Sequence, residues 1–297
     1  MKIAVIGAGA WGTTLANTPA KKGLNTHLWV REQELCDEIR NTGYNSVFLH
    51  DFKLSQDLKC SIEPKRIMEG ADYFLLVVPS QFLRSALADM KQYFPQNPAV
   101  ICASKGIELN TGAPMSQVIY ESLEGLNPRF AHLSGPTFAY ELSAELPTSI
   151  VLGCEDEKLA ADVQDIFSTP YLRIYTNPDY RGVELGGAIK NIMAIAAGMA
   201  DGLKFGHNTR AALITRGIAE MSRLGEAMGA QASTFMGLSG LGDLVLTCTG
   251  DLSRNRQVGL KLGQGMKLSD ILKMRTVAEG VKTTESVYFL AKKLGVE

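Results

Sequence analysis

The stretch IAVIGAGAWGT at residues 3 to 13 constrains this chain more than any other. An apolar run ends in Gly7-x-Gly9-x-x-Gly12 and leads into a helix predicted from about Trp11. Gly7 permits a tight turn, Gly9 lets the backbone approach a pyrophosphate, and Gly12 lets the helix lie close to the strand. The helix N-terminus adds N–H donors and partial positive charge. Strand, glycine turn and helix in that order predict a dinucleotide site, although such turns also occur for purely structural reasons. Pro19 falls where this first helix should continue and is expected to end or kink it.

A buried parallel sheet is the natural continuation. Short apolar runs rich in β-branched residues recur at Thr26 to Val30, Tyr73 to Val78, Val100 to Ala103 and Phe130 to Leu133, with helix-like stretches between them. Ser149 to Leu152 and Arg173 to Tyr175 are two further candidate strands, flanking a helix-like stretch from Glu157 to Phe167. Residues 1–182 therefore read as an α/β, Rossmann-type nucleotide-binding domain. Beyond it the strand pattern stops, and Val183 to Met199, Thr209 to Met228, Arg256 to Leu262 and Thr283 to Leu294 carry helical spacing. Residues 183–297 are expected to form an all-helical domain.

At the end of the second predicted strand stands Arg31, followed by Glu32. An acid in this neighbourhood usually bonds the ribose 2′-hydroxyl of NAD, whereas an arginine accepts a 2′-phosphate. The pattern tilts toward NADP(H) without excluding NAD(H); the alternative is a solvated surface arginine.

Composition removes several function classes. Thirty Lys plus Arg against 31 Asp plus Glu leave no basic excess for a nucleic acid. No apolar run of 18 residues is free of charge, so no membrane span is expected, and the glycine turn interrupts any signal peptide. The expected location is cytoplasmic. Five cysteines without a Cys-x-x-Cys pair and four histidines without metal-ligand spacing predict reduced thiols and no metal.

Lys190 shares its helical face with Gly186, Gly187, Met193, Ala194 and Ala197, and no acid lies three or four positions away. Such a stripe belongs against another element, which makes Lys190 either a partly buried functional amine or a snorkelling lysine. Desolvation lowers a lysine pKa and prepares it to accept a proton near neutrality. Downstream, GLSGLGD at 237 to 243 places Asp243 after a glycine-rich turn. SRNR at 253 to 256 reads either as a phosphate or carboxylate site or as a solvated helix start capped by Ser253.

Taken in order, GAGAWGT, VVPS at 77 to 80, SKGIE at 104 to 108, SGPTFAYE at 134 to 141, GVELGGAIKNIMAIAAGMADG at 182 to 202, ALITRGIAEMSRLG at 212 to 225, GLSGLGDLVLTCTGDLSRNRQVG at 237 to 259 and VAEGVKT at 277 to 283 resemble the bacterial-type NAD(P)-dependent glycerol-3-phosphate dehydrogenases. The resemblance spans essentially the whole chain. It implies a helical domain of the 6-phosphogluconate dehydrogenase C-terminal-like type. The implied activity interconverts glycerol 3-phosphate and dihydroxyacetone phosphate, chiefly as a reductase feeding phospholipid synthesis, with NADP(H) and/or NAD(H) as cofactor.

By that resemblance Lys190 is the catalytic lysine, exchanging the proton of the carbon-2 hydroxyl, and Asp243 orients it. Lys105 would touch substrate and cofactor, while Gly135, Thr137, Lys190, Asp243, Ser253, Arg254 and Asn255 would line the substrate pocket. Ala10, Trp11, Arg31, Lys105, Ala139, Arg254, Val277 and Glu279, with Phe48 as an addition, would join Gly7, Gly9 and Gly12 on the cofactor. Lys105, Lys190 and Arg254 together suit a dianionic phosphate ester. Family members often carry serine at the position of Ala10, and they continue for roughly several tens of residues past the Leu-Gly-Val-Glu that ends this chain, so the helical domain is expected to lack that tail. A homodimer is expected on symmetry grounds. Two other readings are a related dehydrogenase acting on a sugar phosphate acid or 3-hydroxy acid, and a non-catalytic NADP(H) sensor; the combination of SGPTF with SRNR favours the glycerol phosphate pattern over the first.

Overall fold

The computed structural model describes residues 1–274 and 279–296. Its two compact units comprise Met1–Ser104, Ser116–Leu133 and Phe138–Pro178 in the first, and Lys105–Met115, Ser134–Thr137 and the chain from Asp179 onward in the second.

The first unit carries eight strands: β1 (Lys2–Ile6), β2 (Asn25–Trp29), β3 (Lys59–Ser61), β4 (Tyr73–Leu76), β5 (Ala99–Cys102), β6 (Arg129–Ser134, its last residue falling in the second unit), β7 (Thr148–Gly153) and β8 (Leu172–Asn177). They lie side by side in the order β3-β2-β1-β4-β5-β6-β7-β8. β1 runs parallel to β2 and β4, β2 to β3, β4 to β5, β5 to β6 and β7 to β8. Ile3, Ala4, Val5 and Ile6 are buried on both faces, which is why the central strands read as unbroken apolar runs instead of alternating ones. β3 was not predicted, because its Lys-Cys-Ser sequence has no apolar run and the strand spans only three residues at the sheet edge.

The strand order reverses on either side of β1, with β2 to one side and β4 to the other. In open α/β sheets the crevice beyond the strand ends at such a reversal holds the ligand. The glycine turn leaves β1 at that place and enters the Ala10–Lys21 helix. Contrary to expectation, this helix runs through Pro19 and stops at Lys21. Proline loses only one helical bond so near the end, and its carbonyl accepts the N–H groups of Lys22 and Leu24, both at 3.1 Å, which closes the terminus.

Among the described residues from Asp179 onward there are helices and no strands. The Tyr180–Gly202 helix lies at the centre of the second unit. Asp179 caps it, accepting from the N–H of Gly182 at 2.9 Å, and also takes Thr234 Oγ1 at 2.6 Å. By length and composition this helix could cross a bilayer, yet 72% of its apolar window is buried inside the protein. An apolar helix covered on most sides is the usual core helix of a helical domain. It crosses the Arg254–Gly263 helix at close range: a side chain on Gly198 would strike the carbonyl of Arg256, and one on Gly259 that of Ile195. That approach brings the start of the second helix beside the middle of the first.

Candidate functional site

The glycine turn assigns a different task to each glycine. Gly7 has φ +118°, a conformation that side chains rarely adopt, and a Cβ there would collide with the carbonyl of Val77 just past β4. A Cβ on Gly12 would collide with the carbonyl of Gly7. Gly9 is unlike both: its backbone is extended (φ −66°, ψ 176°) and, among the described residues, a Cβ would meet no atom within 4 Å. Among the described residues nothing requires glycine at position 9, and its missing side chain leaves the space outside it open. That open space at the helix N-terminus fits a dinucleotide pyrophosphate. Trp11 Nε1 lies buried close by in sequence, without a hydrogen-bond partner among the described residues.

Elsewhere in the first unit, Arg31 is exposed and paired with its neighbour, its Nε donating to Glu32 Oε1 at 2.8 Å. Phe48 is also exposed. Ala139 starts the Ala139–Ser143 helix, and its carbonyl accepts from Thr14 Oγ1 at 3.4 Å.

In the second unit a buried ionic cluster surrounds Lys190, which is 6% exposed. Its Nζ donates to Asp243 Oδ1 at 2.5 Å and to Thr247 Oγ1 at 2.7 Å. The Thr247 hydroxyl donates in turn to the Asp243 carbonyl at 2.6 Å, so its oxygen is free to accept from the lysine. Lys105 Nζ reaches Asp243 Oδ2 at 2.8 Å and the Gly135 carbonyl at 3.4 Å, and Thr137 Oγ1 donates to that same carbonyl at 3.3 Å. One carboxylate, fully buried, thus serves two lysines. Burial lowers the Lys190 pKa to about 8; Asp243 opposes that shift and Lys105 adds to it. Glu279 titrates above the usual carboxylate range because it is desolvated, with Arg254, Lys105 and Lys190 pulling it back.

Local structure explains how Asp243 reaches this place. Gly237 leads into a π-helical turn, Leu238–Gly242, and the aspartate opens the helix that follows. Single π turns of this kind re-aim side chains at functional sites. A Cβ on Gly240 would collide with the Phe235 carbonyl, so the turn depends on glycine there.

The structure joins Lys105, Gly135, Thr137, Lys190 and Asp243 in one cluster. Asn255 reaches it through Asn191, the neighbour of Lys190: Asn255 Nδ2 donates to Asn191 Oδ1 at 2.9 Å, and Asn255 Oδ1 accepts from the Gly280 N–H at 3.0 Å. Ser253 caps its helix, taking the Arg256 N–H at 3.2 Å. Arg254 is exposed at the first turn. Arg256 is a correction to the SRNR reading. It is 9% exposed and held by Asp201 and Asp251, at 2.7 and 2.8 Å, so its guanidinium fastens helices together and does not face an anion. Val277 lies outside the described residues. Thr247 and Asn191 had no distinguishing sequence signal beyond standing four residues after Asp243 and one after Lys190.

Residues 2–160 match the N-terminal profile, and residues 179–297 the C-terminal profile, of NAD-dependent glycerol-3-phosphate dehydrogenase. The chain belongs to this family. Over 297 residues it is 94% identical to a glycerol-3-phosphate dehydrogenase (NAD(P)+) of Maridesulfovibrio salexigens, covering 100% of this chain and 90% of that relative. The enzyme of the same name from Solidesulfovibrio magneticus is 62% identical over 298 residues, with the same coverage. Among solved structures, a glycerol-3-phosphate dehydrogenase of Coxiella burnetii superposes with a TM-score of 0.95 at 38% identity, covering 100% of this chain and 90% of that one.

Proposed function

We infer that Lys190 is the proton-transfer group of an oxidoreductase reaction, carried by one observation: its amine is buried, titrates near 8, and has two of its three ammonium hydrogens held by Asp243 and Thr247. The chain is an NAD(P)-dependent glycerol-3-phosphate dehydrogenase, interconverting glycerol 3-phosphate and dihydroxyacetone phosphate and serving glycerophospholipid synthesis. In oxidation the remaining position on Nζ takes the proton from the carbon-2 hydroxyl; in reduction the ammonium returns it to the developing alkoxide. The nicotinamide, when bound, accepts or supplies the hydride at carbon 2. Asp243 aims the amine through Oδ1, while Lys105 on Oδ2 holds the carboxylate in place.

Lys105 adds positive charge on the other side of Asp243, where it stabilises the carbon-2 oxygen and the phosphate dianion. Gly135, Thr137, Ser253, Arg254 and Asn255 complete the substrate pocket in this reading. Gly7, Gly9, Ala10, Trp11, Gly12, Arg31, Phe48, Lys105, Ala139, Arg254, Val277 and Glu279 hold the cofactor. The helical unit is the substrate domain, the enzyme works in the cytoplasm, and it assembles as a homodimer; sedimentation at micromolar concentration checks the last point.

The deciding experiment mixes purified protein with dihydroxyacetone phosphate and follows loss of NADPH and NADH absorbance in parallel, with 6-phosphogluconate and NADP as the control. Turnover with dihydroxyacetone phosphate and none with the control is expected. The reverse result would overturn the substrate assignment.

A further inference from the structure

Asn45 is fully buried, yet it belongs to the loop that follows the Gln33–Thr42 helix, far in sequence from the glycine turn. Its Nδ2 donates to the carbonyl of Ala8 at 3.0 Å and to Thr13 Oγ1 at 2.8 Å. The Thr13 hydroxyl donates to the same Ala8 carbonyl at 3.2 Å. On its other side Asn45 Oδ1 accepts the N–H of Phe48 at 3.1 Å. These partners fix the amide orientation unambiguously, since a carbonyl can only accept and an N–H can only donate. The loop is closed at its base, with the Leu54 N–H on the Gly43 carbonyl at 2.8 Å, and internally by the Leu49 N–H on the Asn45 carbonyl at 2.8 Å.

Ala8 sits between the first two glycines of the turn. In a trans peptide the carbonyl of one residue and the N–H of the next point in opposite directions, and this chain has no cis peptide bonds among the described residues. With the Ala8 carbonyl drawn inward by two donors, the Gly9 N–H is aimed outward, into the space that a Gly9 side chain would leave unobstructed. An unanchored glycine-rich peptide would sample both orientations and lose that freedom on binding.

We propose that Asn45 is a positioning residue for the cofactor: it locks the Ala8–Gly9 peptide so that its N–H faces the pyrophosphate, and it ties the Phe48 loop to that same peptide. The proposal rests on the reading of the glycine turn as the pyrophosphate seat. Because the pyrophosphate is common to both cofactors, Asn45 affects NADH and NADPH alike.

Asn45→Asp tests this. The substitution preserves shape and the acceptor for Phe48, but replaces the amide nitrogen and both its donor hydrogens with one oxygen that faces the Ala8 carbonyl and the Thr13 hydroxyl. Fluorescence titration is expected to show Kd for NADH and NADPH each raised about tenfold with their ratio unchanged, while KM for dihydroxyacetone phosphate at saturating cofactor stays within about twofold. Thr13→Val, which removes one donor to the Ala8 carbonyl without changing side-chain volume much, is expected to raise both Kd values by a smaller factor, and it decides the matter if Asn45→Asp does not fold. A Gly9→Val variant separates the two levels. Should it weaken both cofactors while Asn45→Asp and Thr13→Val leave them unmoved, the positioning role is wrong and the seat stands. If Gly9→Val also leaves binding intact, the seat is elsewhere and the proposal falls with it. A loss confined to NADPH would overturn it too, by placing the effect at the 2′-phosphate.

Discussion

The glycine turn and the Lys190 cluster divide stability and function in opposite ways. In the turn the two are separated residue by residue: Gly7 and Gly12 are demanded by backbone contacts, whereas Gly9 faces open space. In the cluster the same atoms serve both. Asp243 is fully buried and satisfies two lysines, so it neutralises the charges that folding has desolvated and, in the proposed mechanism, orients the amine that exchanges the proton. A site built from backbone N–H groups can vary one contact at a time. A site built from buried charges cannot, because removing any partner leaves the others uncompensated.

The sharpest break of this contrast is Lys190→Ala, which is expected to lower kcat by about 10³-fold while leaving the Kd for NADPH near the parent value; near-normal turnover would remove Lys190 from the mechanism. Asp243→Asn should cost both properties. Breaking a buried ion pair destabilises by about 3–5 kcal/mol, visible in urea unfolding, and kcat should fall by about 10²-fold. Since Asp243 holds the Lys190 pKa up, its loss should also move the reaction's pH dependence to lower pH.

In the parent enzyme the sign is fixed by which form of the lysine works. Oxidation needs the neutral amine, so its rate should climb about tenfold per pH unit below about 8 and level off above; reduction needs the ammonium, so its rate should be level below about 8 and fall about tenfold per pH unit above. Matching profiles in both directions would contradict the assignment. Gly12→Val should destabilise the fold by about 3 kcal/mol through the clash with the Gly7 carbonyl, whereas Gly9→Val should leave the unfolding midpoint in place and weaken only cofactor binding. The smallest effect is expected at Arg31. It is exposed and already paired with Glu32, so Arg31→Ala should reduce NADPH affinity several-fold relative to NADH, about one charge-assisted contact.

Much of this molecule was legible along the chain. The sheet strands β1, β4 and β5 were read from continuous apolar runs, because burial on both faces leaves a pattern that needs no knowledge of neighbours. The glycine turn was legible because its three glycines act within six residues of sequence. Lys190 stood out as a charge on an apolar, small-residue stripe. Its pairing with Asp243 came only from the family resemblance and not from spacing, since the aspartate lies 53 residues away and meets the lysine only after a π turn has redirected the chain. Arg256 misled for the same reason: its spacing resembles an anion site, but Asp201, 55 residues earlier, claims the guanidinium.

What the sequence determined by itself was therefore local: element type, the cofactor turn and the residues able to carry charge. Tertiary structure decided which charges were desolvated and which oxygens they face. The physical reason is that periodicity and turn chemistry depend on neighbours within a few residues, while a pKa near 8 for Lys190, the outward aim of the Gly9 N–H and the buried amide of Asn45 depend on groups the chain brings together only when it folds.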